Sequence, residues 1–336
     1  MSNLEKHPVE LFEDATPLRA LGTDVADRGR ETVILEPRDV PLGGPRAMNV
    51  RRTLPQRKRS LIGGWCFIDH YGPDEVAERG GMVVPPHPHT GLQTVSWLFA
   101  GEVEHRDSAG SHAMVRPGEL NLMTAGRGIA HSEVSTAETT VLHGAQLWVA
   151  LPNASRHHAP FFEHFVPRPT QFGDAVLRVF VGSLAGQVST ATTFSELVGA
   201  QIDLPAGTSI DLPVDERFEH GLLVDSGELT LEGAIVPVSH LGYLEPGLSS
   251  IRIEAGSDPL RVLLIGGVPL GESIVMWWNF IGRSHDEIVQ FRAEWQADVI
   301  GGGAADGRFG TVRGYDGRAL PAPELPNVRL RPREQE

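Results

Sequence analysis

The sequence is poor in cysteine, in basic charge and in long apolar runs, and each shortage excludes something. Its single cysteine, Cys66, has no partner within the chain, so no internal disulfide framework holds the fold and a reducing cytoplasm is the expected compartment. Lys and Arg number 29 against 43 Asp and Glu, a formal net charge of −14. That balance argues against a general polyanion binder and against direct contact with nucleic acid. No apolar run approaches the ~18 residues a membrane helix needs. The acidic opening MSNLEKHPVELFEDATPLRA also lacks the apolar stretch of a signal peptide. A cytoplasmic protein with no membrane partner is therefore expected. Sustained helical periodicity is scarce too, while 38 Gly and 25 Pro make the chain rich in turns, and 40% apolar residues leave ample material for cores. The length suggests roughly two domains of about 150 residues each.

Residues 1–30 are polar and aperiodic and read as a loosely held arm. From Glu31 onward, short apolar runs such as ETVILEP, WCFIDHYGP, GMVVPPHPH, TVSWLFAGEVEH and TVLHGAQLWVALP alternate with turn residues. These are strand signals, and their spacing of about ten residues predicts an all-β antiparallel sandwich or small barrel. The first block spans 31–152, 153–174 reads as a connection, and a second block spans 175–300. The blocks look like copies. His89-Thr-Gly-Leu-Gln leads through Gly101-Glu102-Val103 to Pro117-Gly118, as His220-Gly-Leu-Leu leads through Gly227-Glu228-Leu229 to Pro246-Gly247. One short helix is predicted over 285–297, because Ser284-His285-Asp286-Glu287 forms a capping box and Ile288, Phe291 and Trp295 follow at helical spacing. The Gly-, Arg- and Pro-rich 301–336 reads as a surface tail.

His87 and His89 in PPHPH stand at i and i+2, so in a strand both imidazoles leave the same face and can share a metal. The pair alone is weak evidence, since 14 histidines in 336 residues give roughly 0.6 such pairs by chance. Forty-two residues after His89, however, His131 and Glu133 repeat the spacing. Three imidazoles and a carboxylate suit a divalent transition metal such as Fe, Mn, Ni or Cu and leave one or two positions open. The absence of thiolates argues against a closed structural zinc. The competing reading of these residues is a set of hydrogen-bonded histidines without metal.

The segments HPHTGLQTVSWLFAGEVEHRDSAG, RPGELNLMTAGRGIAHSE and LHGAQLWVALP resemble the signature stretches of the pirin family, and GVPLGESIVMWWNFIGRSHDEI resembles its C-terminal segment. The resemblance implies two tandem cupin barrels with one metal, typically iron as Fe(II), in the N-terminal barrel. Carried over motif by motif, the metal ligands are His87, His89, His131 and Glu133. Family members that resemble quercetin 2,3-dioxygenases imply a flavonol-like substrate and O2, with Glu133 as both ligand and catalytic base. Val84, Leu92, Phe67 and Met123 are candidate pocket residues. Other members imply a metal-dependent regulator that docks on a transcription factor or enzyme. Where many pirins carry Glu, this chain has Gln93, which is expected to remove a charge beside the site.

The second block keeps the turns without the ligands, so His220 is expected to be structural. Cys66, in an apolar strand, reads as core packing. His105 and Asp107 are expected in a polar turn with structural roles. The basic run Arg51, Arg52, Arg57, Lys58 and Arg59 reads as a solvated loop, with a docking patch for an acidic partner as the alternative.

Overall fold

Turn residues close the short apolar runs into hairpins, and a computed structural model folds them into two β-barrels. It describes residues 31–42, 48–57, 59–79, 81–303 and 306–332; the expected N-terminal arm and Lys58 lie outside them. In the first barrel a seven-stranded sheet runs in the order Phe161–Phe165, Leu120–Thr124, Leu92–Ala100, Val141–Ala150, Trp65–Glu75, Met48–Leu54, Arg38–Leu42. Opposite it lies a four-stranded sheet, Val83–His89, Ile129–Ser135, Val103–Asp107, His112–Val115. The second barrel repeats the plan. Its seven strands are Val33–Leu35, Leu241–Leu244, Glu219–Ser226, Leu260–Gly267, Leu197–Leu204, Ala175–Val181 and Thr170–Phe172; its four are Ser209–Pro213, Ser250–Ala255, Leu229–Leu231 and Ala234–Val236. Every pairing within these sheets is antiparallel.

The long sheets face each other. Alternation turns Val95 and Trp97 of one strand toward the second barrel, where they pack with Trp65, Phe180, Leu223, Tyr243 and Leu263 in one buried cluster. Polar groups in this seam are paired: the Trp97 indole donates to Gln201 Oε1 at 2.9 Å and the Trp65 indole to the Gly266 carbonyl at 3.0 Å. The barrels also exchange segments. Val33–Leu35 joins the second barrel through Leu241–Leu244, while the hairpin Val275–Trp277/Phe280–Gly282 returns to the first, where Ile281 N–H donates to the Thr90 carbonyl at 3.0 Å. Gly91 makes this crossing possible: its φ is +69°, and a Cβ there would stand 2.4 Å from the Ile281 carbonyl oxygen.

Several expectations change. The helix, His285–Trp295, is capped by Ser284 and buries Ile288, Phe291 and Trp295, but it ends before 297 and widens into a π turn, Gln296–Ile300. The surface segment after 303 is held by a few buried anchors: Phe309, Ala322 and Leu330 are buried with Trp277, Phe280 and Trp295, and Leu320 N–H donates to the Pro86 carbonyl at 2.8 Å. Helix and tail therefore pack on the first barrel rather than on the second. The connection contributes strands to both barrels, Phe161–Phe165 to the first and Thr170–Phe172 to the second. Two members of the basic run are not solvated: Arg52 is fully buried in a two-pronged pair with Asp69 (2.6 and 2.8 Å) and Arg59 pairs with Glu219 of the second barrel at 3.2 Å, while Arg57 is exposed. Arg52 lies over the Phe67 ring at 4.2 Å inside the first barrel, where a buried guanidinium needs a bidentate partner.

Candidate metal centre

The site is built on two adjacent strands. His131 lies opposite His87 and Ile129 opposite His89, so two histidines from one strand and one from the next enter the barrel together. Between His131 and Glu133 the register slips, because Pro85 and Pro86 oppose a single residue, Ser132. Prolines carry no N–H for the ladder, and a bulge re-aims the side chains next to it.

The ligand nitrogens of His87, His89 and His131 all lie within 4.8 Å of one another, and each residue is at most 1% exposed. His89 Nε2 and His131 Nε2 are 3.1 Å apart. His87 donates from Nδ1 to the Pro85 carbonyl at 2.8 Å. That bond fixes its tautomer and leaves Nε2, buried and without a hydrogen-bond partner among the described residues, as a lone pair. Burial pushes His87 down to about 4, partly offset by the charge of Glu133; burial and the neighbouring imidazoles hold His89 and His131 well below the ordinary 6.5. Three neutral, converging imidazoles with an orphaned buried nitrogen are a donor set that fits a divalent metal. Glu133 is 2% exposed and its charge reaches His87 and Tyr71, but its carboxylate is not part of the convergent trio.

An apolar wall covers the trio. Phe67 stacks on Trp148 at 4.0 Å between centroids, and Trp148 meets His89 edge-on at 5.1 Å. Leu92, Met123 and Cys66 belong to the same buried cluster, whereas Val84 packs apart from it with Val40, Val50 and Tyr71. Cys66 is buried core. Trp148 escaped the sequence reading, although its place in the alternating LWVALP strand was a signal for it.

Gln93 is not beside the trio. It shares a strand face with Val95 and Trp97 and donates to Thr124 Oγ1 at 2.9 Å and to the Thr192 carbonyl at 3.0 Å, so the Glu-to-Gln departure falls on the seam between barrels. His105 and Asp107 are not in a turn; they are buried in the strand Val103–Asp107, and His105 Nδ1 stands 3.4 Å from His131 Nδ1. His220 is buried in the second barrel with neither ring nitrogen hydrogen-bonded among the described residues. A second cluster was missed altogether. His70 donates to Asp225 Oδ1 at 2.8 Å, and His143 Nε2 lies 2.6 Å from the same oxygen, joining the barrels. Both groups lie close enough to hold a cation; in the first all three donors are buried imidazoles, and in the second one carboxylate oxygen stands between two rings.

Residues 47–149 match the family model described as Pirin, and residues 199–301 the one described as Pirin C-terminal cupin domain. The chain belongs to the pirin family. A Pseudomonas aeruginosa relative named "Putative quercetin 2,3-dioxygenase PA1205" is 41% identical over 292 residues, 86% of this chain and 89% of that one. A Caulobacter vibrioides pirin-like protein is 34% identical over 259 residues, 74% of this chain and 88% of its own. Among solved structures, a quercetin 2,3-dioxygenase from Acinetobacter baumannii superposes with a TM-score of 0.82 at 36% identity, covering 89% of this chain and 97% of that one. The Escherichia coli pirin YhhW, solved in complex with nickel(II), shares the fold at 20% identity and a TM-score of 0.57, over 71% of this chain and 100% of that one. Two tandem cupin domains are therefore the architecture of this pirin. No helix among the described residues is long and apolar enough to cross a membrane.

Proposed function

We propose that this pirin is a cytoplasmic metal-dependent dioxygenase that cleaves a flavonol such as quercetin with O2. The observation that carries the reading is the convergence of three buried imidazole nitrogens, with a buried carboxylate two residues along the same strand, under an aromatic wall. The relatives named above support the substrate class. His87, His89, His131 and Glu133 would hold a divalent metal, with Fe(II) as the first choice, which when bound would supply Lewis acidity toward an enolic oxygen.

The rest falls to the chain. Phe67, Trp148, Leu92 and Met123 offer a flat ring system apolar contact and exclude water from it. Glu133 takes the proton of the flavonol 3-hydroxyl, which makes the substrate an anion where cationic charge is concentrated. The neutral histidines neither donate nor accept in that transfer and act as ligands only.

The test is oxygen uptake by anaerobically purified, iron-loaded protein on addition of quercetin, with metal content measured on the same sample. Uptake at metal occupancy near one is expected. Full occupancy with no uptake from any flavonol, together with capture of one specific protein partner, replaces the enzyme with the regulator.

A further inference from the structure

We propose that Asp107 and His105 are positioning residues, a proton-fixing chain that holds His131 as the tautomer whose Nε2 is free to bind metal. The inference rests on reading the histidine trio as a metal centre. It concerns residues that touch none of the reacting atoms.

The chain can be followed atom by atom. Asp107 Oδ1 accepts from Ser111 N–H at 2.9 Å, which commits that oxygen to the backbone. Its other oxygen, Oδ2, lies 3.1 Å from His105 Nε2. A carboxylate only accepts, so His105 carries its proton on Nε2 and its Nδ1 is left as an acceptor. His105 Nδ1 in turn faces His131 Nδ1 at 3.4 Å, and two nitrogens at that distance bond only if one of them is protonated. The proton must then sit on His131 Nδ1, and Nε2 keeps its lone pair, which in the metal-free chain accepts from a proton on His89 Nε2 at 3.1 Å.

The chain is rigidly housed. The His105 and Asp107 side chains are 4% and 0% exposed, His105 stacks on Phe162 at 4.6 Å and 25°, and Asp107 and His131 are register partners on adjacent strands. Burial would raise the Asp107 carboxyl, but the bonds from His105 and from the Ser111 backbone outweigh it and hold the group below its ordinary value. Both carboxylate oxygens thus face N–H donors, Ser111 N–H and His105 Nε2–H. His87 achieves the same tautomer with a single backbone carbonyl; His131 needs side chains because its Nδ1 is turned toward the neighbouring strand.

Asp107→Asn reverses the chain. Asn Oδ1 must stay on Ser111 N–H, which leaves the amide NH2 facing His105 Nε2. His105 is then protonated on Nδ1, and His131 moves its proton to Nε2, where the metal belongs. His105→Phe keeps the stack on Phe162 and removes the acceptor. The experiment has two arms on the full chain. Nitrogen-15 NMR of the metal-free protein reads the His131 tautomer: Nδ1–H is expected in the parent and Nε2–H in Asp107→Asn. Cobalt(II) titration against a chromophoric chelator reads affinity: both variants are expected to bind about 10- to 100-fold more weakly than the parent, with unchanged melting of the metal-free chains.

A parent His131 protonated on Nε2 overturns the proposal, as does an Asp107→Asn protein with parental tautomer and parental cobalt affinity. If the parent shows the Nδ1–H tautomer and Asp107→Asn reverses it, yet neither binds cobalt, the proton-fixing chain stands and the metal-centre reading falls. If Asp107→Asn does not fold, His105→Phe decides by its affinity.

Discussion

The two barrels share one strand plan and differ at one strand pair. In the first, His87 faces His131 between Val83–His89 and Ile129–Ser135. In the second, Ile210 faces Ile253 and Leu212 faces Ile251 between Ser209–Pro213 and Ser250–Ala255, all four buried in an apolar cluster with Leu222, Val224 and Leu264. The barrel interior is filled in both cases, as close packing requires. The architecture is therefore indifferent to metal, and a few side chains on two strands decide whether the interior is a donor set or hydrocarbon. The barrel with the donor set is also the one that the C-terminal hairpin, helix and tail pack against, through Thr90, Pro86 and Ala130.

The comparison breaks most decisively on metal content. One metal per chain is expected, held by the first barrel. His131→Ala should weaken binding by well over the ~100-fold that loss of an outer partner costs, while Ile253→Ala should leave metal content unchanged. Elemental analysis giving two tightly held metals per parent chain, or equal content in His131→Ala and parent, would abandon the one-barrel reading. Glu133→Gln comes next. Loss of a general base costs ~10²- to 10⁴-fold in rate, to be measured as flavonol-dependent oxygen uptake per bound metal. Parental turnover by a metal-replete Glu133→Gln protein removes the base assignment.

In the second barrel the cost is stability. Ile253→Ala, at a fully buried site, should lose about 2–5 kcal/mol in urea denaturation with no metal dependence. The seam adds a smaller term, because Asp225→Ala removes the oxygen that both His70 and His143 face and should cost about 1–3 kcal/mol. Burial holds His70 below 6.5 despite the opposing pull of Asp225, and its two imidazole neighbours hold Asp225 far below 3.8 against burial. Both folded values are depressed, so this stability is present above the unfolded values and lost as pH falls. For His70 the loss starts near 6.5, and for Asp225 only below 3.8. A melting temperature that rises on acidification through pH 6 contradicts the assignment.

Local periodicity made much of this legible. The strands, the duplication, the capping box at Ser284 and the paired i, i+2 spacings of the site residues all depend on neighbours in sequence. His105 and Asp107 carried the same signal, since Val103–Asp107 alternates buried and half-buried, but their charged neighbours Glu104 and Arg106 made the segment read as a turn. Gln93 was placed beside the site by family resemblance alone; Gly91 ends the strand of His89, and the new strand that carries Gln93 turns it to the seam. Arg52, Arg59 and the His70–His143–Asp225 cluster were illegible for another reason. Arg52 finds Asp69 on the next strand of the first barrel, 17 residues away, while Arg59 and His70 reach partners 160 and 155 residues away in the second barrel, and no spacing announces either. The anchors of the tail, Phe309, Ala322 and Leu330, follow no period and gave no signal.

The smallest effect at neutral pH belongs to His220, and it tests whether the second barrel keeps any polar function. His220 is 1% exposed, beside Phe218, and neither ring nitrogen has a hydrogen-bond partner among the described residues. Burial pushes it down to about 4, with Asp215 pulling weakly the other way. A neutral but unsatisfied imidazole costs stability at every pH, so His220→Leu should be neutral or stabilising by about 1 kcal/mol at pH 7, with metal content and oxygen uptake unchanged. The acid range separates the variant from the parent. With a folded value depressed from 6.5 to about 4, the parent loses stability from pH 6.5 down to about 4, on the order of 3 kcal/mol in all. His220→Leu should not suffer that loss, so the two stability curves should part below pH 6.5. Urea midpoints that stay parallel from pH 7 to 4 would mean that His220 is paired and that the second barrel holds a polar contact after all.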